Sequence, residues 1–210
     1  MTELILIGGG GHCHACIDVI ESTQSYRIVG IVDLPQQVGD QVLGYPVIGS
    51  DIDLPQLVER CDAFLITLGQ IKSPAQRMAL SVLVQDAGGR LATVISPHAH
   101  VSRHAQIGAG TIVMHQALVN AGARVGANCI INNKALIEHD ALIGAHCHIS
   151  TGAIVNGAVE IGAGCFIGSG AVTHQGISIG AQSLIAAGAL VTTDLAAASR
   201  FPGRSKRKKP

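Results

Sequence analysis

One six-residue stretch of this 210-residue chain gathers groups that could move a proton: Ile137-Glu138-His139-Asp140-Ala141-Leu142. Charged residues make up only 13% of the sequence, about half the ordinary share, so three adjacent titratable side chains stand apart from their surroundings. An imidazole titrates near neutral pH, and a neighbouring carboxylate can orient it, which makes His139 a candidate general base with Asp140 as its partner. A second group is the run Gly8-Gly9-Gly10-Gly11-His12, which follows an apolar stretch and opens a helix-like one. Backbone amides of such a loop, with the helix N-terminus behind them, bind anions such as phosphates. Asp33 ends the next apolar stretch, where an acidic residue can accept from a ribose or a base edge. The strict dinucleotide fingerprint fails, because Cys13 stands where the third small residue belongs. A mononucleotide or a nucleotide-sugar is the more economical ligand, and a purely structural turn is the bland alternative.

These residues need elements to position them, and the chain divides near residue 94. Over residues 1–94, strand-like stretches at 4–8, 27–33, 61–69 and 90–95 alternate with helices over 13–22 and 73–88, the second with Ser73 as N-cap and Pro74 as its first residue. A β-α-β order of this kind implies a small parallel-sheet α/β domain of Rossmann-like type. From Ile95 onward every sixth residue is Ile or Val through Val191, with Thr173 the single exception, and the register never slips. Four places further on the residue is mostly small, and Gly recurs every eighteen at 108, 126, 144, 162 and 180. Three six-residue strands per turn make a triangular coil, so residues 95–199 are expected to form a parallel β-helix of about five coils. In it the β-branched residue points inward, the small residue fills the space beside it, and the eighteen-residue glycines serve turns needing positive φ. Residues 200–210 form a basic tail.

The same period sorts the other candidates. Cys129, Cys147 and Cys165 are eighteen apart and occupy the small inward slot, so they are expected to pack as small apolar groups. His146 and His148 flank Cys147 and therefore point outward. A three-histidine zinc site, as on the coil of gamma-type carbonic anhydrases, would need two His five residues apart, and no pair here has that spacing, so no metal is expected. Removing the five basic residues of the tail (Arg204, Lys206, Arg207, Lys208, Lys209) leaves nine basic against fourteen acidic side chains. An acidic body with five Phe and Tyr and no Trp argues against nucleic-acid binding. No apolar run is long enough to span a membrane, and the six Cys read as reduced thiols, so a cytoplasmic location is expected.

The strand–GGGGH–helix at 4–12, the IEHD of 137–140, the ISTGAIVNGAVEIG of 149–162 and the FIGSGAV of 166–172 together resemble the bacterial sugar acyltransferases of the PglD/NeuD type. The resemblance covers essentially the whole chain. It implies a left-handed β-helix and a homotrimer with active sites between adjacent subunits. It implies transfer of acetyl from acetyl-CoA to the 4-amino group of a UDP-linked 4-amino-4,6-dideoxysugar. Carried over, it places the general base at His139 and its carboxylate at Asp140. Acetyl-CoA falls near His148 and, through backbone, near Ser169 and Ala187. The nucleotide-sugar falls at Gly9, Gly10, Gly11, His12, Asp33 and Gly49, with Asn132 lining the sugar site. The basic tail itself reads as a solvated terminus, with contact to the CoA 3′-phosphate as the alternative. The chain departs from the family at His14, Leu34 and its ending, Phe201-Pro202-Gly203-Arg204. Two other readings remain: O-acetylation of a sialic or related nonulosonic acid, and a non-catalytic trimeric scaffold that only senses a nucleotide.

Overall fold

The computed structural model describes residues 1–61 and 63–203, so the basic residues from Arg204 onward lie outside the described residues. The first domain is a six-stranded sheet of β1 (Thr2–Ile7), β2 (Tyr26–Val32), β3 (Gln41–Val42), β4 (Tyr45–Gly49), β5 (Ala63–Ile66) and β6 (Arg90–Leu91). Its order is β3-β4-β2-β1-β5-β6, parallel except for the β3–β4 edge. The strand order reverses at β1, where β2 lies on one side and β5 on the other, and ligands of open α/β sheets bind at the carboxyl ends of strands beside such a reversal. The β3–β4 hairpin was not legible in advance. Its two-residue loop, Leu43-Gly44, has positive φ at both positions, and Leu disguises a turn that usually carries Asn or Asp before Gly.

Helix α1 (Gly11–Thr23) starts on the last glycines of the loop and buries Cys13, Cys16, Ile17 and Ile20, the i, i+3, i+4, i+7 spacing of one helical face. Helix α2 (Leu54–Val58) is a single short turn. Helix α3 (Ala75–Asp86) begins one residue later than the sequence suggests, with Ser73 Oγ still accepting from Ala75 N at 3.2 Å. Its buried face is Arg77, Ser81 and Val84.

The second domain is the left-handed parallel β-helix, eighteen two-residue strands from β7 (Val94–Ile95) to β24 (Arg200–Phe201) on three faces. Partners lie eighteen residues apart, as in Ile112↔Ile130 and Leu136↔Ile154. The coil ends later than expected. Arg200–Phe201 pairs with Leu184–Ile185 at sixteen residues instead of eighteen, after Leu195 bridges Ile179, so these two residues belong to the last coil and not to a tail. The inward ladder is buried from Val113 to Val191, whereas Ile95 is 39% exposed because no coil lies beneath the first rung.

The glycine expectation was wrong in detail. Positive φ falls two residues later, at Gly110, Gln116, Gly122, Asn128, Lys134, Asp140 and His146 and onward at the same spacing. Half of those corners are not glycine. The eighteen-residue glycines serve close approach between coils: a Cβ on Gly108, Gly126 or Gly144 would lie 2.5, 2.5 or 2.6 Å from a backbone nitrogen of the next coil.

The two domains share a core. Val94, Ile112 and Ile130 on the outer side of the first coil face are fully buried against α1 residues Cys13, Cys16, Ile17 and Ile20. Arg77 clamps the junction, donating to Ile66 O (2.8 Å), Leu68 O (2.7 Å), Asn128 O (3.2 Å) and Asn128 Oδ1 (2.7 Å). Burial lowers its pKa to about 10, which leaves it a cation at neutral pH.

Candidate active site

His139 and Asp140 sit on the corner between the second and third coil faces. His139 Nδ1 donates to Asp140 Oδ2 at 3.0 Å, which leaves Nε2 with its lone pair directed away from the pair. Both side chains are open, 62% and 68% exposed. The His139 amide donates to Glu138 Oε2 at 3.1 Å, and that oxygen also accepts from Asn120 Nδ2 at 2.9 Å. Gly157, one coil on, backs the ring: a Cβ there would lie 2.7 Å from His139 Cε1 and Nε2. Sequence reasoning overlooked Gly157, although the eighteen-residue period points straight to it.

The glycine loop lies at the reversal of the first sheet. Gly8 (φ +102) donates to Val32 O at 2.8 Å and passes close to Leu68 of the loop after β5. Gly9 N donates to Asp33 Oδ2 at 2.6 Å, and a Cβ on Gly9 would crowd that oxygen at 2.7 Å. Asp33 Oδ1 accepts from Leu34 N at 2.8 Å, so its carboxylate shapes the loop from within. Gly49 stands behind it, its carbonyl accepting from Asp33 N at 3.1 Å. Positions for Cβ atoms on Gly10 and Gly11 meet nothing within 4 Å, and the first amides of α1 have no intrahelical acceptor. A cavity of 160 Å³ lined by Gly8, Asp33, Asp51, Leu68 and Gln76 adjoins the loop.

His12 and His148 meet where the first domain covers the coil, their ring centroids 6.2 Å apart. His148 points out of the coil, as expected, yet it is only 6% exposed because the loop after β5 lies over it. Its Nδ1 donates to Gln70 O at 2.6 Å, and its Nε2 accepts from Asn132 Nδ2 at 3.1 Å, with Phe166 edge-on to the ring. Both imidazoles are held neutral, with pKa values lowered to about 4. Burial is the main cause; His148 and Arg77 add to it for His12, while Arg77 does so for His148 against the Gln70 carbonyl. Neither can serve as an acid at neutral pH. His12 Nε2, Gln70 Oε1 and Asn133 Oδ1 are buried here without hydrogen-bond partners. Gln70 and Arg77 escaped sequence reasoning, although Arg77 shares the buried-face spacing of Ser81 and Val84.

A pH dependence of stability follows. In the unfolded chain both histidines titrate near 6.5, so as pH falls from about 6.5 to about 4 the unfolded state takes up protons that the folded state refuses. The thermal midpoint is expected to fall across that window, and His148→Gln to flatten the fall. Differential scanning fluorimetry from pH 8 to about 4 checks it, and a midpoint flat across the window would refute it.

Ser169 and Ala187 lie eighteen residues apart on the corner between the first and second faces, both exposed, with Ser169 Oγ 2.9 Å from Ser150 Oγ. Asn132 begins the same corner. The candidate residues therefore divide between the two edges of the second coil face: Asn132, Ser169 and Ala187 on one, His139 and Asp140 on the other. His12 of the glycine loop meets His148, which Asn132 contacts in turn, while hydrogen bonds among the described residues tie His139 and Asp140 only to the coil. Cys129, Cys147 and Cys165 are buried thiols within the coil. Among the described residues no group of three or more His, Cys, Asp or Glu side chains is placed to hold a metal ion. No helix there is long and apolar enough to cross a membrane.

Comparison with known proteins adds to this geometry. Residues 3–77 match the PglD N-terminal domain, residues 140–175 the bacterial transferase hexapeptide (six repeats), and residues 158–193 the hexapeptide repeat of succinyl-transferase. The structure of PerB from Caulobacter crescentus in complex with CoA and GDP-perosamine is 33% identical, over 94% of this chain and 92% of that one, with a TM-score of 0.87. The acetyltransferase domain of PglB from Neisseria gonorrhoeae in complex with acetyl coenzyme A is 31% identical, over 93% of both chains, with a TM-score of 0.85. WeeI from Acinetobacter baumannii, 22% identical over 94% of both chains at a TM-score of 0.80, shares the fold. A search of curated protein sequences finds no match. An α/β domain with a reversal-point glycine loop, seated on a six-residue-repeat coil, defines a hexapeptide-repeat sugar acyltransferase. Within that class, the chain belongs to the PglD-type family of bacterial sugar N-acetyltransferases.

Proposed function

We propose that this enzyme transfers acetyl from acetyl-CoA to the 4-amino group of a nucleotide-linked 4-amino-4,6-dideoxysugar, with His139 as the general base. The observation that carries the reading is the His139–Asp140 pair, an open imidazole whose Nδ1–H is held at 3.0 Å and whose Nε2 is free to take a proton. The sugar amine attacks the thioester carbonyl, a C–N bond forms, and the N–H proton passes to His139 Nε2. The C–S bond then breaks, and the CoA thiolate leaves and takes up a proton. A base of this kind supplies about 10²–10⁴ in rate. The free amides at Gly10 and Gly11 receive the nucleotide phosphates. His12, Gln70, Asn132 and Asn133 offer unpaired or re-pairable groups to the sugar. Ser169 and Ala187 line the path of acetyl-CoA.

The working enzyme is a homotrimer in this reading. The outer side of the second coil face carries Leu118, Leu136, Ile154, Val172 and Leu190, with Leu190 62% exposed. The third face instead presents Gln106, Arg124, Leu142, Glu160 and Ser178 to solvent, four of the five polar. Packing second faces against neighbouring copies covers the apolar stripe and brings the His139 edge of one copy to the Asn132–Ser169–Ala187 edge of another.

The test is CoA thiol release against a panel of UDP-, GDP- and TDP-linked 4-amino-4,6-dideoxysugars, with free and CMP-activated sialic acid alongside. Turnover is expected with one nucleotide amino-sugar, UDP being implied by the family and GDP by the ligand of PerB. Turnover confined to a sialic acid would replace this reading with O-acetylation. Silence together with no rise in thermal midpoint on adding acetyl-CoA would refute acyl transfer, because a ligand bound by the native state stabilises it.

A further inference from the structure

The geometry points to Gly122 as a positioning residue for the transfer reaction, one that, by lacking a side chain, leaves the Asp140 carboxylate the room it needs to hold His139. This rests on the reading of the His139–Asp140 pair as base and orienting carboxylate. Gly122 lies one coil before Asp140 on the same corner, and Asp140 N donates to the carbonyl of the adjacent Ala121 at 3.1 Å. A Cβ built on Gly122 would overlap Asp140 Oδ1 outright. The next nearest atoms, Asp140 Cγ and N, lie at 3.3 and 3.5 Å, so the side-chain carboxylate has to give way while the backbone does not. That oxygen is the far end of an exposed side chain, so the fold can absorb its displacement. The 3.0 Å bond to His139 Nδ1 cannot, because the same carboxylate makes it.

Backbone conformation does not by itself demand glycine at this corner. Equivalent positions hold Gln116, Lys134 and Ala158 at φ 59, 60 and 56, against 76 for Gly122. Gly176 occupies the same corner three coils on, at φ 67, and a Cβ there meets nothing within 4 Å. Alanine at 176 therefore reports the strain of a left-handed corner alone, and alanine at 122 reports strain plus displacement of Asp140.

The experiment compares Gly122→Ala, Asp140→Asn, the double variant and Gly176→Ala in the full-length enzyme. Two readouts are taken: steady-state thiol release with the acceptor found by the panel, and the tautomer of the His139 ring in long-range ¹H–¹⁵N spectra, which needs no acceptor. Gly122→Ala is expected to lower kcat about tenfold or more, close to Asp140→Asn, with KM for acetyl-CoA changed by less than about twofold. The double variant is expected to be no slower than Asp140→Asn alone, because both changes break one interaction. His139 is expected to lose its Nδ1–H preference in all three variants and to keep it in Gly176→Ala. If Asp140→Asn is impaired and Gly122→Ala is not, in rate or tautomer, the role of Gly122 is overturned and the dyad stands. If Asp140→Asn is itself neutral in both readouts, the dyad reading falls and takes Gly122 with it. Effects that multiply in the double variant, or a loss in Gly176→Ala equal to that in Gly122→Ala, also overturn the proposal.

Discussion

His139→Ala is expected to lower acetyl transfer by about 10²–10⁴-fold while leaving the folded enzyme intact. The side chain is 62% exposed, so its removal opens no cavity and uncovers no buried partner. Surface changes of that kind usually shift stability by less than about 0.5 kcal/mol. The loss should fall on kcat, because the imidazole acts on a proton that moves only as the amine attacks; KM for acetyl-CoA is expected to stay close to that of the native enzyme. Thiol release at saturating acetyl-CoA, read beside the thermal midpoint, checks both halves. Activity surviving within tenfold would remove His139 from its role, and the neutral His12 and His148 could not inherit it: His148 has both nitrogens engaged, and each is tuned to about 4.

The coil was legible because a β-helix is nearly one-dimensional. Each inward residue is decided by the rung above and below it, so a six-residue period carries the whole architecture. The same rule made the thiol ladder of Cys129, Cys147 and Cys165 readable as packing. His139 and Asp140 were legible for the opposite reason, as charge in a coil that otherwise avoids it. What escaped was the junction between the domains. His148 obeys the coil rule by facing outward, but its burial depends on a loop from a different domain lying over it, and no local pattern encodes that. Arg77 reads as an ordinary helix residue until the carbonyls of Ile66, Leu68 and Asn128 surround it. The shortened last coil escaped because Leu195 and Phe201 replace the Ile and Val on which the period was tracked.

The misread glycines carry the largest expected effect on stability. Gly144→Ala is expected to destabilise the enzyme by about 3 kcal/mol, the upper end for overpacking, and Gly176→Ala by only about 1. The contrast runs against the habit of ranking glycines by φ. Gly176 has the left-handed backbone, at φ 67, but open space where a Cβ would go. Gly144 has ordinary φ, yet its Cβ would sit 2.6 Å from Ala163 N, 2.8 Å from Gly162 C and 2.9 Å from Ala163 Cα. Those are backbone atoms of the next coil, and none of the three can turn aside as a side chain would. To admit the methyl group, two coils must separate, and the Gly144 N to Ile161 O hydrogen bond of 2.7 Å between them must stretch. The strain spreads along the ladder, because Gly126 below and Gly162 above make the same approach. Denaturant midpoints of the two variants, taken at equal protein concentration, measure the difference. Equal midpoints would mean that the coils can breathe by more than their hydrogen-bonded spacing suggests, and that the eighteen-residue glycine ladder does not set it.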